Sequence, residues 1–385
     1  MTTSEYSGNP TESSSVLMAL SGGVDSSVAA ALLVEQGYNV IGAMLSLWHA
    51  PSEDRLAATS NRCCTPDAVQ RAEDVARQLG FPFHLLDARS LFREQVVEYF
   101  ITEYAHGHTP NPCVICNRAV RFNLLIEHAR AIGASLIATG HYARIRERDG
   151  TYQLLRGTDR NKDQSYFLHA LTQEQLRYTL FPIGGLTKQE VRAVARRYGL
   201  SVAEQPESQD VCFLGSGKDA DYRRFLLRYA PHLFRPGPIR DRSGRILGEH
   251  QGLPGYTIGQ RKGLGLTTPE PVYVLSIEPT ENTLVVGTDD ELVTTECQVG
   301  ALHYICGKAP TAPFRAIAQI RYRAEPTEVV VTPTEMSKAG GASVRFLLPQ
   351  RGVTPGQFLV LYGMDGEQVI GGGVILSAGS SSATG

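Results

Sequence analysis

The sequence predicts an α/β protein: a doubly wound, mostly parallel sheet, then a small central module and a C-terminal antiparallel β-barrel. Three observations predict this. From Ser15 onward, short apolar runs alternate with amphipathic helical stretches. A glycine-rich turn joins the first run to the first helix. After about residue 290, alternating apolar and polar residues sit between turn residues, the mark of a small barrel. With 385 residues there is room for two or three domains.

The elements follow in order. "SVLMAL" is a short apolar run ending in glycines, hence a buried strand. "SVAAALLVEQG" reads as a helix stopped by Gly37. "NVIGAMLSLW" is the next strand. In "TPDAVQRAEDVARQLG", Val69, Ala72, Ala76 and Leu79 recur at helical spacing. Pro66 suits a first helical turn and Gly80 closes the helix. "FPFHLLDA" is a strand, "CNRAVRFNLLIEHARAIG" a helix and "SLIATGHYAR" a strand. Past residue 215, one helix, "ADYRRFLLRYA", precedes a Gly/Pro-rich segment with short strands. "EVVVTP", "SVRFLLP", "FLVLY" and "QVIGGGVIL" are barrel strands. The expected divisions are a disordered tail at 1–14, a catalytic domain at 15–215 and a central module at 216–290. A barrel at 291–376 and a disordered tail at 377–385 complete them.

Composition narrows the function classes. Hydrophobic content of 42% and charged content of 20% are ordinary for a soluble domain protein. The formal net charge of −2 does not describe a wholly basic nucleic-acid binder. Residues 217–262, however, hold ten Lys/Arg and four Asp/Glu, a local +6 that suits phosphate contacts. Seven cysteines, an odd count, suit a reducing compartment. The first residues lack a signal-peptide pattern, and no apolar run reaches membrane-spanning length. A cytoplasmic location without a membrane partner is expected.

"LSGGVDSS", Leu20 to Ser27, lies between the first strand and the first helix. Gly22 and Gly23 let the backbone turn sharply and approach a ligand closely. The helix start supplies unpaired N–H groups and the positive dipole end, and Ser21, Ser26 and Ser27 add hydroxyls. Such a loop suits phosphate or pyrophosphate. Asp25 belongs beside an anion only if it holds Mg²⁺ or orients a reacting group. The loop is neither a Walker-type P-loop nor G-x-G-x-x-G. It resembles the S-G-G-x-D-S PP-loop of ATP pyrophosphatases, which implies ATP cleavage between the α and β phosphates.

"TPNPCVICN" carries Cys113 and Cys116. Cys116 is expected where loop becomes helix, near Arg118 and Arg121, a setting that favours a thiolate. Pro110, Asn111 and Pro112 restrict the loop. Cys212, in "SQDVCFLG", lies 96 residues downstream (212 − 116). A standard zinc site wants four ligands, and adjacent Cys63 and Cys64 are poorly spaced for one tetrahedron. Cys297 and Cys306, and with less force Cys63 and Cys64, read as small buried hydrophobes.

The ordered segments "SGGVDSS", "TPNPCVICN", "ATGHYAR", "NKDQSYFL", "CFLG", "GQRKGLG", "RYR" and "TPGQ" together resemble the bacterial tRNA-specific 2-thiouridylase family, from about residue 15 to 376. The resemblance implies replacement of the C2 oxygen of the wobble uridine by sulfur in tRNAs for Lys, Glu and Gln. It implies ATP and Mg²⁺, with nucleotide bound by Ala19, Leu20, Ser21, Gly22, Gly23, Val24, Asp25 and Ser26, and by Leu45 and Gly140. Asn111, Pro112 and Cys113 match positions that contact the target base. His141, Lys162, Asp163, Gln164, Arg321, Tyr322 and Gln357 match tRNA-contact positions. In the family's persulfide scheme Cys212 carries sulfur received from a donor protein, a persulfide carrier or cysteine desulfurase. Cys116 assists release, ending in a Cys116–Cys212 disulfide. Many family members have Asp where this chain has Cys113. Cys113, Cys116 and Cys212 are thus also a candidate ligand set for a [4Fe–4S] cluster with one open iron. Both sulfur routes stay open at this level. The competing readings are another PP-loop synthetase or amidotransferase, of the argininosuccinate or GMP synthetase type, and a non-catalytic Fe–S or RNA-binding protein. Without the motif context, His141 would read as a satisfied loop histidine, Lys162–Gln164 as a solvated turn, and Arg321–Arg323 as strand surface.

Overall fold

The computed structural model describes residues 14–48, 65–206, 211–214, 221–334 and 340–379. Cys63, Cys64 and most of the two expected tails lie outside them. Strands β1 (Ser15–Ala19), β2 (Asn39–Ser46), β3 (Phe83–Asp87), β4 (Leu136–Thr139) and β7 (Thr179–Leu180) form a five-stranded sheet in the order β3-β2-β1-β4-β7. Every pairing in it is parallel, as the apolar strand runs require. The chain winds outward on both sides of β1, so the crevice between the ends of β1 and β4 is a topological switch point.

Local chemistry explains the helices. Val24–Glu35 carries buried alanines and valines on a nearly continuous apolar surface, because it lies between the sheet and other helices. Pro66–Leu79 starts on a Thr65 side-chain cap with Pro66 in its first turn, and ends at Gly80 in the left-handed region (φ 78°). Lys188–Arg197 begins with a full capping box between Thr187 and Glu190.

Three expectations change. "SLIATGHYAR" is not one strand: β4 ends at Thr139, and β5 (Ala143–Arg148) pairs with β6 (Thr151–Arg156) as a separate hairpin. Asp149 and Gly150, both at positive φ, make the tight turn that closes it. The cysteine-bearing helix starts at Pro112, not at Cys116. Asn111 is extended before it, and Pro112 is accommodated because first-turn N–H groups lack intrahelical acceptors. At the other end, the final strand runs through Gly379, past the expected limit of 376, because Gly379 pairs with Glu296.

The central segment forms a four-stranded sheet, β10-β11-β8-β9, from β8 (Gly237–Arg240), β9 (Ile246–His250), β10 (Tyr273–Glu278) and β11 (Thr283–Gly287). The helix before it, Tyr222–Tyr229, behaves differently from a boundary at 215. Its Phe225 and Leu226 pack into the catalytic domain's core, where Phe225 meets Trp48, Phe100 and Phe213. The last six strands are β12 (Val293–Tyr304), β13 (Phe314–Gln319), β14 (Thr327–Thr334), β15 (Gly341–Arg351), β16 (Phe358–Tyr362) and β17 (Val369–Gly379). They close as β12-β15-β14-β13-β16-β17. The barrel has its own interior of Val299, Ala316, Val329, Val344 and Leu359. Its outer face, with Phe358, Val360, Tyr362 and Val369, packs into the core of the catalytic domain. Among the described residues no helix is long and apolar enough to cross a membrane.

Candidate functional site

The glycine loop sits at the switch point. Gly22 has φ 69°, and a Cβ there would lie 2.4 Å from the Ala68 carbonyl oxygen, so both backbone geometry and space demand glycine. Arg71 Nε donates to the Gly22 carbonyl at 3.1 Å, fixing the loop from the Pro66–Leu79 helix. Ser26 Oγ accepts from Ser21 N–H (3.2 Å) and lies 3.1 Å from Ser21 Oγ, while Ser26 and Ser27 hydroxyls donate to the Gly23 carbonyl. Ala19, Leu20 and Val24 continue the loop's frame, with Leu20 and Val24 buried. Leu45, on β2, is also buried. A Cβ on Gly140 would lie 2.7 Å from Ser26 N, so the turn after β4 lies directly on the first turn of the first helix. This donor-rich cradle fits a polyphosphate.

Asp25 is held by residues that sequence reasoning did not select. Tyr142 Oη and Lys188 Nζ both donate to Asp25 Oδ1, each at 2.7 Å. Lys188 is a buried cation, 9% exposed, at the start of its helix. Nothing in "GLTKQEVR" sets it apart from an ordinary helix start; only the wound sheet brings it to the loop. Tyr142 is in turn bracketed by Gln164, whose Oε1 accepts from Tyr142 N–H while its own N–H donates to the Tyr142 carbonyl.

Several expected tRNA-contact residues are therefore internal. His141 is buried, accepts or donates at Thr139 Oγ1 (2.7 Å), and stacks on Phe122 of the cysteine-bearing helix. Burial, assisted by the Arg121 charge, lowers its pKa to about 3, so it is neutral. Asp163 is buried and accepts from Gly157 N–H, Ser165 N–H and Ser165 Oγ, facing Arg156 at 3.8 Å. Burial raises its pKa despite those hydrogen bonds. Lys162 is half-buried. The segment 162–164 is a brace rather than a solvated turn.

Cys116 is 6% exposed and opens a widened π-type stretch, Cys116–Arg121, in the second turn of its helix. Cys113, half-buried, takes the first-turn place expected for Cys116. Cys212 is half-buried beside the aromatic cluster that includes Phe213. Among the described residues, no group of three or more His, Cys, Asp or Glu side chains is placed to hold a single metal ion. Cys297 is buried, its thiol pushed up to about 12 by burial, whereas Cys306 is exposed rather than a core residue.

Arg321, Tyr322 and Gln357 lie where the barrel meets the catalytic domain. Tyr322 packs on Phe167 with ring centroids 4.4 Å apart. Arg321 is exposed and donates to the Gly352 carbonyl. Gln357 Nε2 donates to the Thr109 carbonyl at 2.8 Å. The basic central segment is less free than its composition suggests. Arg245 pairs with Asp241, Arg242 with Glu291 and Arg240 with Glu281, and the last two acids lie outside residues 217–262.

Three family models match the chain in succession: the tRNA methyl transferase HUP domain over residues 14–216, the tRNA methyl transferase PRC-barrel domain over 223–288, and the aminomethyltransferase beta-barrel domain over 294–375. Fold and site together define a PP-loop protein of the HUP type, extended by two β-modules. Among curated proteins, the tRNA-specific 2-thiouridylase MnmA of Heliobacterium modesticaldum is 47% identical over 364 residues, 94% of this chain and 92% of that protein. Its counterpart in Symbiobacterium thermophilum is 47% identical over 378 residues, covering 97% and 94%. That of Magnetococcus marinus is 46% identical over 368 residues, covering 95% and 100%. The chain belongs to the tRNA-specific 2-thiouridylase family.

Proposed function

We propose that this protein is a tRNA-uridine 2-sulfurtransferase of the cytoplasm that uses ATP and Mg²⁺ to replace a uridine C2 oxygen by sulfur. One observation carries the reading. The turn Gly140–Tyr142 joins the phosphate loop to the cysteine-bearing helix: Gly140 lies on Ser26, Tyr142 holds Asp25, and His141 stacks on Phe122. A nucleotide cradle and a thiol helix thus share one rigid joint, as coupled activation and sulfur transfer require.

ATP supplies the adenylyl group that makes O2 of the uridine a leaving group. Ser21, Ser26 and the first-helix N–H groups bind the phosphates, and Lys188 supplies a buried positive charge beside Asp25. Asn111, Pro112 and Cys113 receive a uridine taken out of its stack. In the persulfide route, the Cys116 thiolate attacks the Cys212 sulfur and breaks the S–S bond. The released hydrosulfide attacks C2, and a Cys116–Cys212 disulfide remains, to be reduced before the next cycle. A protein persulfide donor reloads Cys212.

The test is 2-thiouridine formation by metal-free enzyme, run anaerobically with ATP, Mg²⁺, unmodified tRNA for Glu and a persulfide donor. Product is expected. Product only after iron and sulfide are restored would transfer the sulfur step to a cluster. Pyrophosphate release stimulated by an amino acid or nucleotide rather than by tRNA would overturn the thiouridylase reading.

A further inference from the structure

The loop that leads into Cys113 and Cys116 is gripped by the barrel. Thr109 N–H donates to the Pro355 carbonyl at 2.9 Å, and the Thr109 carbonyl accepts from Gln357 Nε2 at 2.8 Å. Between these two anchors, Gly356 (φ 88°) lies so close that a Cβ would stand 2.7 Å from His108 Cβ and 2.9 Å from Thr109 N. The barrel turn is itself fixed: Gly356 N–H donates to the Ile375 carbonyl, and Ile375 N–H donates to the Gln357 carbonyl, both on β17. A further tie lies two residues on. The Asn111 side chain lies beside the buried Tyr166, whose Oη donates to the Phe358 carbonyl at 2.8 Å.

We infer that the barrel turn 354–357 is a positioning element for the cysteine loop, with Gln357 as a positioning residue that sets the reach of Asn111 and Cys113. The inference rests on the proposed role of that loop in sulfur transfer. It differs from a tRNA-contact role for Gln357, because one amide N–H of its side chain is given to the Thr109 carbonyl of the cysteine loop. The half-buried, two-point grip resembles an added strand pairing, which fixes backbone register more firmly than a side-chain contact alone. A barrel that engages RNA can then set the thiol loop through its own backbone.

The test uses the full chain and three variants: Gln357→Ala, the near-isosteric Gln357→Glu, and Glu367→Gln as control. Glu367 pairs with Arg144 (2.6 Å) and Arg160 at the same interface but away from the loop. Alkylation of Cys113 by iodoacetamide is followed by peptide mass spectrometry in enzyme without tRNA, and kcat and tRNA Kd are measured separately. Losing one net hydrogen bond predicts about five-fold faster Cys113 alkylation and about five-fold lower kcat in both Gln357 variants, with tRNA Kd unchanged. Glu367→Gln is expected to leave Cys113 alkylation at the wild-type rate. Weakened tRNA binding with unchanged alkylation would make Gln357 an RNA contact and overturn the inference. Equal acceleration in Glu367→Gln would reduce the effect to general loosening and overturn it as well. If wild-type enzyme forms no 2-thiouridine, the functional reading fails, while the alkylation rates still decide whether the grip exists.

Discussion

The phosphate loop and the cysteine loop are built on opposite plans. The phosphate loop is shaped inside one domain, by consecutive residues 19–27 and by strands that are neighbours in one sheet. The cysteine loop is shaped by three parts of the chain at once. A Cβ at Gly107 (φ 74°) would lie 2.9 Å from both Ile277 Cγ2 and Pro279 Cγ of the central module. Thr109 is bound to the barrel, and Asn111 lies beside Tyr166 of the catalytic domain. The first plan gives a cradle that exists whenever the sheet folds. The second makes thiol geometry depend on how the β-modules are seated against the catalytic domain.

Breaking the first plan should have the largest effect. Gly22→Ala places a Cβ against the Ala68 carbonyl at a φ that L-residues disfavour. Tighter strain at the phosphate cradle predicts at least about 100-fold less tRNA-stimulated pyrophosphate release, with tRNA affinity retained. Retained activity in that assay would show the loop is not the nucleotide site.

Lys188→Met should come next, with about 30-fold less pyrophosphate release, because it leaves Asp25 without its cation. Asp25→Asn combined with Lys188→Met should cost little more than the worse single change, since the two act as a unit. Additive losses in that cycle would separate their roles.

Breaking the second plan should be milder and selective. Gly107→Val, wedged against Ile277 and Pro279, predicts about 10-fold slower thiolation with pyrophosphate release near wild type. Equal loss in both assays would mean that the two loops are not independent.

A last test sharpens the comparison through stability rather than rate, with no effect expected near neutral pH. His141 and His169 are buried neutral, with pKa values lowered mainly by burial to about 3 and about 4. A depressed histidine pKa means the unfolded chain binds more protons, so stability is complete above about pH 6.5 and falls below it. The expected loss is up to about 1.4 kcal/mol per pH unit for each histidine, down to the folded pKa. Chemical denaturation of wild type and His169→Asn between pH 4 and about 7 reads the slope, which the variant should flatten. His169 lies against Gly372 and Phe358 of the barrel, so its slope reports barrel seating, whereas that of His141 reports the joint beside the phosphate loop.

Much of the fold was legible because its signals are local. Apolar runs give strands, Thr65–Pro66 and Gly80 bound a helix, and alternation gives barrel strands. The hairpin closed by Asp149–Gly150 is masked in the local pattern, because "SLIATGHYAR" keeps its apolar character across the break at Gly140. The start of the cysteine helix is hidden in a similar way: two nearby prolines suggest a loop, although Pro112 is the helix's first residue.

By itself the sequence determined the parallel sheet, the glycine loop and the thiols, since each rests on residues close in the chain. Tertiary structure alone decided that Lys188 and Tyr142 hold Asp25, that His141 and Asp163 are internal braces, and that Gln357 grips Thr109. Those partners are separated by up to 248 residues. Nothing in a local pattern encodes such a meeting, because it is set by how strands cross, how a barrel closes and which face of it the first domain buries.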